Sequence, residues 1–277
     1  MTPPRALDPA RIRAVTFDFG NTLVPVGREG LRAVVEVTGR AVVERLGPFD
    51  FDEYLRIWAE ERGRQFREDV PQFRETDLAE RFVRVLARLR GMAPPQVDVT
   101  WDQEAAGRYS THDEIAWALE VYSRAFLEGL PPNPAAGPLL ERLSAGRDLA
   151  ILSNWPLAAT IDRYVEAAGW APFLRAIVVS QRVGMIKPHP EIFAEARRQL
   201  GDPAPDAILH VGDDWAADVV GASAVGWRVA YVRHKPGDSP LPSSERDETT
   251  TPDVEIDTIA ELSDLLAATP AAFPDLR

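Results

Sequence analysis

The chain has 277 residues, a formal net charge of −12 at pH 7 and no cysteine. This length suffices for one large domain, or a domain with an insertion, built around a buried core. The negative charge disfavours a nucleic-acid or anionic-membrane partner, and the lack of cysteine excludes disulfides, thiolate metal sites and thiol catalysis.

No segment approaches the roughly 18 apolar residues of a membrane-spanning helix, and the first residues lack the apolar run of a secretory signal. We therefore expect a cytoplasmic protein with neither a membrane nor a nucleic-acid partner.

Short apolar runs rich in β-formers recur along the chain and, from the second onward, alternate with amphipathic helical stretches. The predicted strands are Ala14–Phe17, Leu149–Leu152, Ala176–Val179, Ala207–Val211, Arg228–Val232 and Asp253–Ile256. The predicted helices that follow strands are Leu157–Ala168, Glu191–Leu200, Ala216–Val225 and Ile259–Ala267. This alternation predicts a doubly wound α/β fold, with a mainly parallel, Rossmann-like sheet covered on both faces.

The interval between the first two strands has no convincing strand pattern and is too long for a simple crossover. Its predicted helices are Gly30–Leu46, Phe51–Phe66, Thr76–Leu89 and His112–Leu127, and it ends in the proline-rich segment "PPNPAAGPLLERL". We predict a helical cap domain over residues 25–136, inserted into a core of residues 1–24 and 137–277.

Two charged or polar segments have no obvious place in a core. Residues 234–253, "HKPGDSPLPSSERDETTTPD", predict a mobile loop. The run "WAEERGRQFREDV" predicts a solvated helix face, with the alternative that a few of its arginines face a substrate. Trp58, Trp101 and Trp117 are predicted core residues, and His112 is predicted at an exposed helix N-terminus.

Polar side chains follow four of the predicted strands. Because the carboxyl ends of parallel strands meet at one edge of a sheet, we expect these side chains to lie together. They are Asp18, Ser153, Asn154, Lys187, Asp213 and Asp214. Lys187 and Lys235 are the two lysines in a chain that otherwise uses arginine, which weakly favours a specific need for an ammonium group at Lys187.

Each of these residues also has a structural interpretation. Asp213 or Asp214 could cap the following helix with Asp218 in its first turn, and Ser153 with Asn154 could do the same. Lys187 alone would ordinarily be solvated. Their convergence on one edge of the sheet favours a functional site, and for Trp155 the sequence leaves packing and site lining equally open.

Four segments, in order along the chain, resemble the haloacid dehalogenase (HAD) superfamily: "FDFGNTL", "AILSN", "GMIKPHPEIF" and "HVGDDWAADVVGASAVG". The predicted insertion lies where helical-cap members of this family carry their cap. The resemblance covers nearly the whole chain.

The resemblance implies roles for individual residues. Asp18 matches the nucleophile that becomes an aspartyl phosphate, Thr22 and Ser153 the hydroxyls that bind the transferring phosphoryl group, and Lys187 the ammonium that holds both. The implied catalytic set is Asp18, Ser153 and Lys187, and the implied substrate-binding set is Thr22, Ser153, Asn154 and Lys187. The implied Mg²⁺ set is Asp18, the backbone carbonyl of Gly20, Asp213 and, as a supporting carboxylate, Asp218.

The chain departs from the family pattern at two neighbouring positions. Phosphatases of the family usually carry a second aspartate two residues after the nucleophile as general acid and base, where this chain has Gly20. Asn21 replaces the usual glycine at the next position.

The leading hypothesis is a Mg²⁺-dependent phosphohydrolase or phosphotransferase acting through Asp18 on a small phosphorylated metabolite. Two alternatives remain from the sequence. One is dehalogenase-like hydrolysis through an aspartyl ester, which the dense carboxylate cluster "GDDWAAD" disfavours because a metal best explains it. The other is a catalytically impaired protein that binds phosphate or metal, or serves as a scaffold.

Overall fold

A parallel sheet of six strands forms the centre of the computed structural model, which describes residues 7–97, 99–233 and 235–267. The strands are β1 (Ala14–Phe17), β2 (Asp148–Ser153), β3 (Ala176–Val179), β4 (Ile208–Gly212), β5 (Arg228–Val232) and β6 (Val254–Ile256). They pair in the order β3-β2-β1-β4-β5-β6, every neighbouring pair being parallel. The α/β prediction is confirmed, and each predicted strand is present with small shifts at its ends.

Helices cover both faces of this sheet. A hydrophobic core lies on each face of the sheet, and successive residues of β2 point alternately into the two. Leu149 and Ile151 belong to the first cluster, and Ala150 and Leu152 belong to the second. Helices α6 (Ala136–Ser144) and α7 (Ala158–Ala167) pack into the first cluster. Helices α9 (Pro190–Gln199) and α10 (Gly221–Ala224) pack into the second. The short α8 (Ser180–Val183) follows β3, and α11 (Leu262–Leu265) follows β6.

The predicted helix over residues 216–225 begins differently from an ordinary α-helix. Trp215–Val220 form a π-helical turn that continues into α10, and the backbone N–H of Val219 reaches the carbonyl of Asp214. This wide turn brings Asp218 back against the end of β4, where a Cβ on Gly212 would lie 2.3 Å from Asp218 Oδ2. Gly212 is therefore needed for the close approach of that carboxylate.

Between β1 and α6 the described residues form five helices and no strand. They are α1 (Arg28–Leu46), α2 (Phe51–Asp69), α3 (Leu78–Leu89), α4 (Gln103–Gly107) and α5 (His112–Gly129). Thr111 and Glu114 form a capping box at the start of α5, which places the exposed His112 at the helix N-terminus as predicted. The short α4 was not predicted, because five residues are too few for a periodic pattern.

The tryptophans of the insertion are structural, as predicted. Trp58 stacks with Tyr54 and Tyr122, while the indole N–H of Trp101 donates to buried Glu61. Trp117 is partly buried and lies beneath the guanidinium of Arg45. These contacts join α1, α2 and α5. Together with α3 and α4, these helices are called the helical unit below.

An aromatic cluster fixes this helical unit on the sheet. Phe19, just after β1, contacts Phe126 of α5, Trp155 after β2 and Tyr164 of α7. The helices are thereby held over the carboxyl ends of the strands. The proposed domain limits at 24/25 and 136/137 stay a prediction; residues 1–6, 268–277 and His234 of the predicted core and loop lie outside the described residues.

None of the helices in the described ranges has the length and hydropathy that crossing a bilayer requires.

Candidate active site

The ammonium group of Lys187 joins two carboxylates at the carboxyl end of the sheet. Its Nζ donates to Asp18 Oδ1 at 2.8 Å, to Asp218 Oδ1 at 2.6 Å and to the carbonyl of Leu152 at 2.9 Å. The side chain is 2% exposed, so these interactions take place away from bulk water. Burial alone would lower the pKa of Lys187, but Asp18 and Asp218 hold that pKa above its ordinary value.

Asp18, Asp213 and Asp218 form a compact carboxylate cluster. Each offers an oxygen within 4.8 Å of the others. Burial and the neighbouring Asp218 raise the pKa of Asp18 to about 6, although Lys187 opposes them. Burial and the charges of Asp18 and Asp218 raise the pKa of Asp213 to about 8. Three carboxylates here face two ammonium groups, those of Lys187 and of Lys235, which lies 3.5 Å from Asp213, so simultaneous ionisation of all three carboxylates is opposed.

Asp218 is the most fully hydrogen-bonded member of this cluster. Besides Lys187, its Oδ1 lies 3.0 Å from His210 Nε2, and its Oδ2 accepts from the backbone N–H of Asp214 at 2.9 Å. Burial would raise the pKa of Asp218, but Lys187 and His210 together hold it well below its ordinary value. These contacts fix the carboxylate that in turn fixes Lys187.

His210 was missed by the sequence analysis. It lies inside β4, fully buried, with Nδ1 2.8 Å from Thr16 Oγ1 and Nε2 beside Asp218. Burial lowers its pKa despite the carboxylate, so the ring favours the neutral form. The available signal was a histidine in the middle of the apolar run "AILHVG", where a buried ring needs a polar partner.

Two buried hydroxyls, one after β1 and one at the end of β2, have no hydrogen-bond partner among the described residues. They are Thr22 Oγ1 in the turn after β1 and Ser153 Oγ at the end of β2, each on a side chain 1% exposed. A buried hydroxyl without a partner is unfavourable unless a ligand supplies one. Both are the hydroxyls that the sequence resemblance associates with the phosphoryl group.

Asn154 and Asp214 are occupied by protein contacts. The Asn154 side-chain amide exchanges two hydrogen bonds with the backbone of Lys187, which holds that loop against the end of β2. Asp214 caps the following helical turn through the N–H of Ala217 and also accepts from Ser244. The predicted substrate-binding role of Asn154 stays a prediction; the contacts present are those of a residue that positions Lys187.

The two departures from the family pattern have different structural settings. Asn21 adopts φ +58, a left-handed conformation that asparagine tolerates better than most residues, and its amide lies 3.4 Å from Asp213 Oδ2. Gly20 is not at positive φ. A Cβ built on Gly20 would lie 2.6 Å from Leu241 Cδ1, so Leu241 fills the space into which a side chain at position 20 would point.

Leu241 belongs to the β5–β6 loop, here defined as residues 235–253. The loop is irregular, as predicted, but it makes specific contacts with the site. Ser239 hydrogen-bonds Asn21, Ser244 hydrogen-bonds Asp214, and the carbonyl of Pro240 accepts from Arg62. The mobility of the loop stays a prediction, and no pattern in the sequence indicated that this loop would form one side of the site.

A cavity of about 370 Å³ separates the sheet from the helical unit. Its floor includes Asp18, Ser153, Lys187 and Asp213, its side includes Leu241 to Ser244, and its roof includes Arg62, Phe66, Glu75, Arg81 and Tyr122. Trp155 both lines this cavity and packs against Phe126, so its two interpretations are both correct.

The prediction of a solvated face for "WAEERGRQFREDV" is wrong. Glu61, Arg64 and Gln65 of this run are buried, and Arg62 faces the cavity, as the alternative interpretation allowed. Burial of Glu61 depends on Arg88 of α3, whose guanidinium lies 2.7 Å from it. Only part of the run faces water, for example at Glu60 and Arg67, and the charges of α2 pair both within the helix and with α3.

The residues at the floor fit a divalent cation. Mg²⁺ prefers oxygen ligands, and the three clustered carboxylates supply them where the local charge is uncompensated. Burial is the largest cause of the raised pKa values of Asp18 and Asp213, neighbouring carboxylates add to it, and a bound cation would oppose both effects.

Comparison with known proteins agrees with this arrangement. The family model of haloacid dehalogenase-like hydrolases matches residues 12–226. The chain belongs to this family. The glyceraldehyde 3-phosphate phosphatase of Methanopyrus kandleri is 27% identical over 259 residues, which cover 92% of this chain and 97% of that protein. The ribulose-1,5-bisphosphate 5-phosphatase of Halopiger xanaduensis is 32% identical over 53% of this chain and 62% of its own length.

Solved structures of the haloacid dehalogenase-like family share the fold. A 2-haloacid dehalogenase from Pseudomonas syringae pv. Tomato aligns with a TM-score of 0.62 and 24% identity, over 92% of this chain and 98% of that one. A HAD phosphatase from Thermococcus onnurineus aligns with a TM-score of 0.59 and 23% identity, over 94% of this chain and 100% of that one.

Proposed function

We propose that this haloacid dehalogenase-like hydrolase is a Mg²⁺-dependent phosphohydrolase or phosphotransferase, acting on a small phosphorylated metabolite through an aspartyl-phosphate intermediate on Asp18. The observation that carries the proposal is the buried, unpartnered hydroxyl of Ser153 in the cavity that Asp18 and Lys187 also line, with a second such hydroxyl on Thr22 in the turn after β1. A phosphoryl group supplies the missing hydrogen-bond partners for such hydroxyls, and its negative charge suits the ammonium group of Lys187.

In the first step an Asp18 oxygen attacks phosphorus, and the bond from phosphorus to the leaving oxygen breaks with its electron pair on that oxygen. Lys187 reduces the repulsion between the Asp18 carboxylate and the phosphoryl oxygens. In the second step water, or an acceptor hydroxyl, attacks phosphorus and Asp18 is released as a carboxylate. Asp218 and His210 act through Lys187 as positioning residues.

Mg²⁺ would be held by Asp18, Asp213 and the backbone carbonyl of Gly20, and when bound it supplies positive charge against the nucleophile and the phosphoryl group. Asp218 supports this arrangement from the interior. A cytoplasmic location stays a prediction from the sequence.

Phosphatase relatives and the carboxylate cluster both favour this proposal over dehalogenation. Two relatives similar in sequence are phosphatases, whereas the dehalogenases resemble this chain in fold at under 25% identity. Release of phosphate from a panel of acyl, aryl and alkyl phosphates, with and without Mg²⁺, tests it. Halide release from 2-haloacids without metal, and no phosphate release, would contradict it.

Removal of Mg²⁺ is expected to stop turnover, because the Asp18–Asp213 cluster then lacks its compensating charge. Excess chelator should abolish phosphate release, and Asp213→Asn should weaken Mg²⁺ binding measured by calorimetry, by at least tenfold. Asp264→Asn, an exposed carboxylate on α11, is the matched control and should leave both values unchanged. Full activity in excess chelator would contradict the metal site.

A further inference from the structure

Two arginines of the helical unit lie in the roof of the cavity whose floor holds Asp18 and Lys187. Arg62 is on α2 and Arg81 is on α3. Neither forms an ion pair within 4.0 Å with a carboxylate of the described ranges. Four of the five other arginines in these two helices do, each contacting at least one glutamate: Arg56, Arg64, Arg84 and Arg88. The fifth, Arg67, is exposed to water.

Arg81 is buried with neutral partners. Its side chain donates to Gln65 Oε1 at 2.8 Å and to Thr76 Oγ1 at 3.4 Å, and its guanidinium lies 5.4 Å from the ring centre of Trp58. The residue is 4% exposed. Burial lowers its pKa to about 10, which still leaves the guanidinium charged at neutral pH. A buried cation with neutral partners is costly unless a ligand brings the opposite charge.

Arg62 is in a similar position nearer the edge of the cavity. It donates to the carbonyl of Pro240 at 3.2 Å and lies over the ring of Phe66 at 4.8 Å. Burial lowers its pKa as well. Because it bonds the β5–β6 loop, it is held at the rim between that loop and the helical unit.

The acidic residue of the roof does not neutralise these two cations. Glu75 lines the cavity, but its oxygens accept from Ser180 and Thr76 and no ion pair joins it to Arg81 within 4.0 Å. Burial raises its pKa, so its negative charge is itself disfavoured. The roof therefore carries net positive charge, opposite a floor that would hold the reacting phosphoryl group.

We propose that Arg62 and Arg81 form a subsite for a second anionic group of the substrate, a carboxylate or a second phosphoryl group at the end remote from the reacting phosphorus. This inference rests on the proposed function. A cavity of about 370 Å³ is at the small end for ligand sites, so the substrate is a compact metabolite with two anionic groups that spans floor to roof. Planar guanidinium groups suit both carboxylate and phosphate oxygens.

The test uses aryl phosphates that differ at the remote end. 4-Carboxyphenyl phosphate and benzene-1,4-diyl bisphosphate carry a second anion, and 4-carbamoylphenyl phosphate is a neutral match in shape. We expect kcat/KM of wild type to favour the better anionic substrate over the neutral one about ten- to a hundredfold, the range for charge-assisted hydrogen bonds. A higher kcat/KM for 4-carboxyphenyl phosphate would indicate that the subsite binds a carboxylate, and a higher value for benzene-1,4-diyl bisphosphate that it binds a phosphoryl group.

The ratio of anionic to neutral kcat/KM is expected to fall toward one in Arg62→Met and in Arg81→Met, chiefly through KM. Arg67→Met, an exposed arginine on α2 outside the cavity lining, is the control and should keep the wild-type ratio. Since Arg81 is buried and bonded to Gln65, its variant is checked by thermal unfolding, and Arg62→Met carries the test if Arg81→Met does not fold.

A binding measurement tests the subsite independently of whether the protein hydrolyses phosphate esters. The Kd values of 4-carboxybenzylphosphonate and 4-carbamoylbenzylphosphonate, which cannot be hydrolysed, are measured by calorimetry with Mg²⁺. A preference for the carboxylate that Arg62→Met removes supports the subsite even if no phosphate is cleaved. Turnover with equal kcat/KM and equal Kd for anionic and neutral compounds would overturn the subsite and leave the proposed function standing.

Discussion

Replacing Asp18 with asparagine is expected to abolish phosphate release while leaving the fold intact. The change is nearly isosteric but removes the charge and nucleophilicity of the attacking oxygen, a loss that normally costs several orders of magnitude in kcat/KM. Lys187 keeps Asp218 as a carboxylate partner at 2.6 Å, so no buried cation is left without a counter-charge.

The thermal stability of the metal-free Asp18→Asn protein should equal or exceed that of wild type. The pKa of Asp18 is raised to about 6 in the folded protein, so near pH 7 its ionised form opposes folding, and asparagine removes that charge. Steady-state kinetics and thermal unfolding in chelator measure the two effects, with Asp264→Asn as the control. Activity within about tenfold of wild type would contradict a covalent intermediate on Asp18.

The floor of the site could be predicted from the sequence because it depends on local patterns and one topological rule. Short apolar runs end at Asp18, Ser153 and Asp213, and parallel strands bring their carboxyl ends to one edge. The burial of Lys187 between two carboxylates follows from the same convergence.

The roof and side of the site could not be predicted, because they depend on contacts between distant segments. Arg62 lies in a charged run whose pattern is typical of a solvated helix. It is directed into the cavity because α2 packs against α3 and contacts the β5–β6 loop. Leu241 lies in a polar, proline-rich segment with no periodicity. The π-helical turn at Trp215–Val220 differs from an α-helix by one residue in hydrogen-bond spacing, which side-chain patterns do not reveal.

The absence of a carboxylate at position 20 is expected to restrict the leaving groups that the enzyme can expel. An alkoxide needs a proton as it departs, and general acid assistance is typically worth about 10²–10⁴ in rate. Acyl and aryl oxygens leave as stable anions and need this help least. Wild type should therefore cleave acyl or aryl phosphates far faster than alkyl monoesters. The phosphorylated Asp18 should also persist long enough to be trapped by rapid quenching, since water attack lacks its base.

Restoring the acid requires room as well as a carboxylate. Gly20 is not in the left-handed region, so its backbone accepts aspartate, but a Cβ there would lie 2.6 Å from Leu241 Cδ1. Gly20→Asp alone is therefore expected to require a shift of the Leu241 side chain and to gain less than the double variant. The double variant Gly20→Asp with Leu241→Ala should raise alkyl phosphate turnover preferentially, by at least tenfold over Leu241→Ala, which is the matched control.

The comparison to make is the single-turnover rate of an alkyl and an aryl phosphate in wild type, Leu241→Ala and the double variant. Similar chemical-step rates for both esters in wild type, without a trapped intermediate, would contradict this account of Gly20. The proton would then come from another group of the cavity. Asp214 is poorly placed for that task, because Ala217 and Ser244 already occupy its oxygens. Glu75 lines the cavity and burial raises its pKa, as a general acid requires, but Ser180 and Thr76 occupy its oxygens in the same way. Glu75→Gln is therefore the variant that decides between these two carboxyl groups.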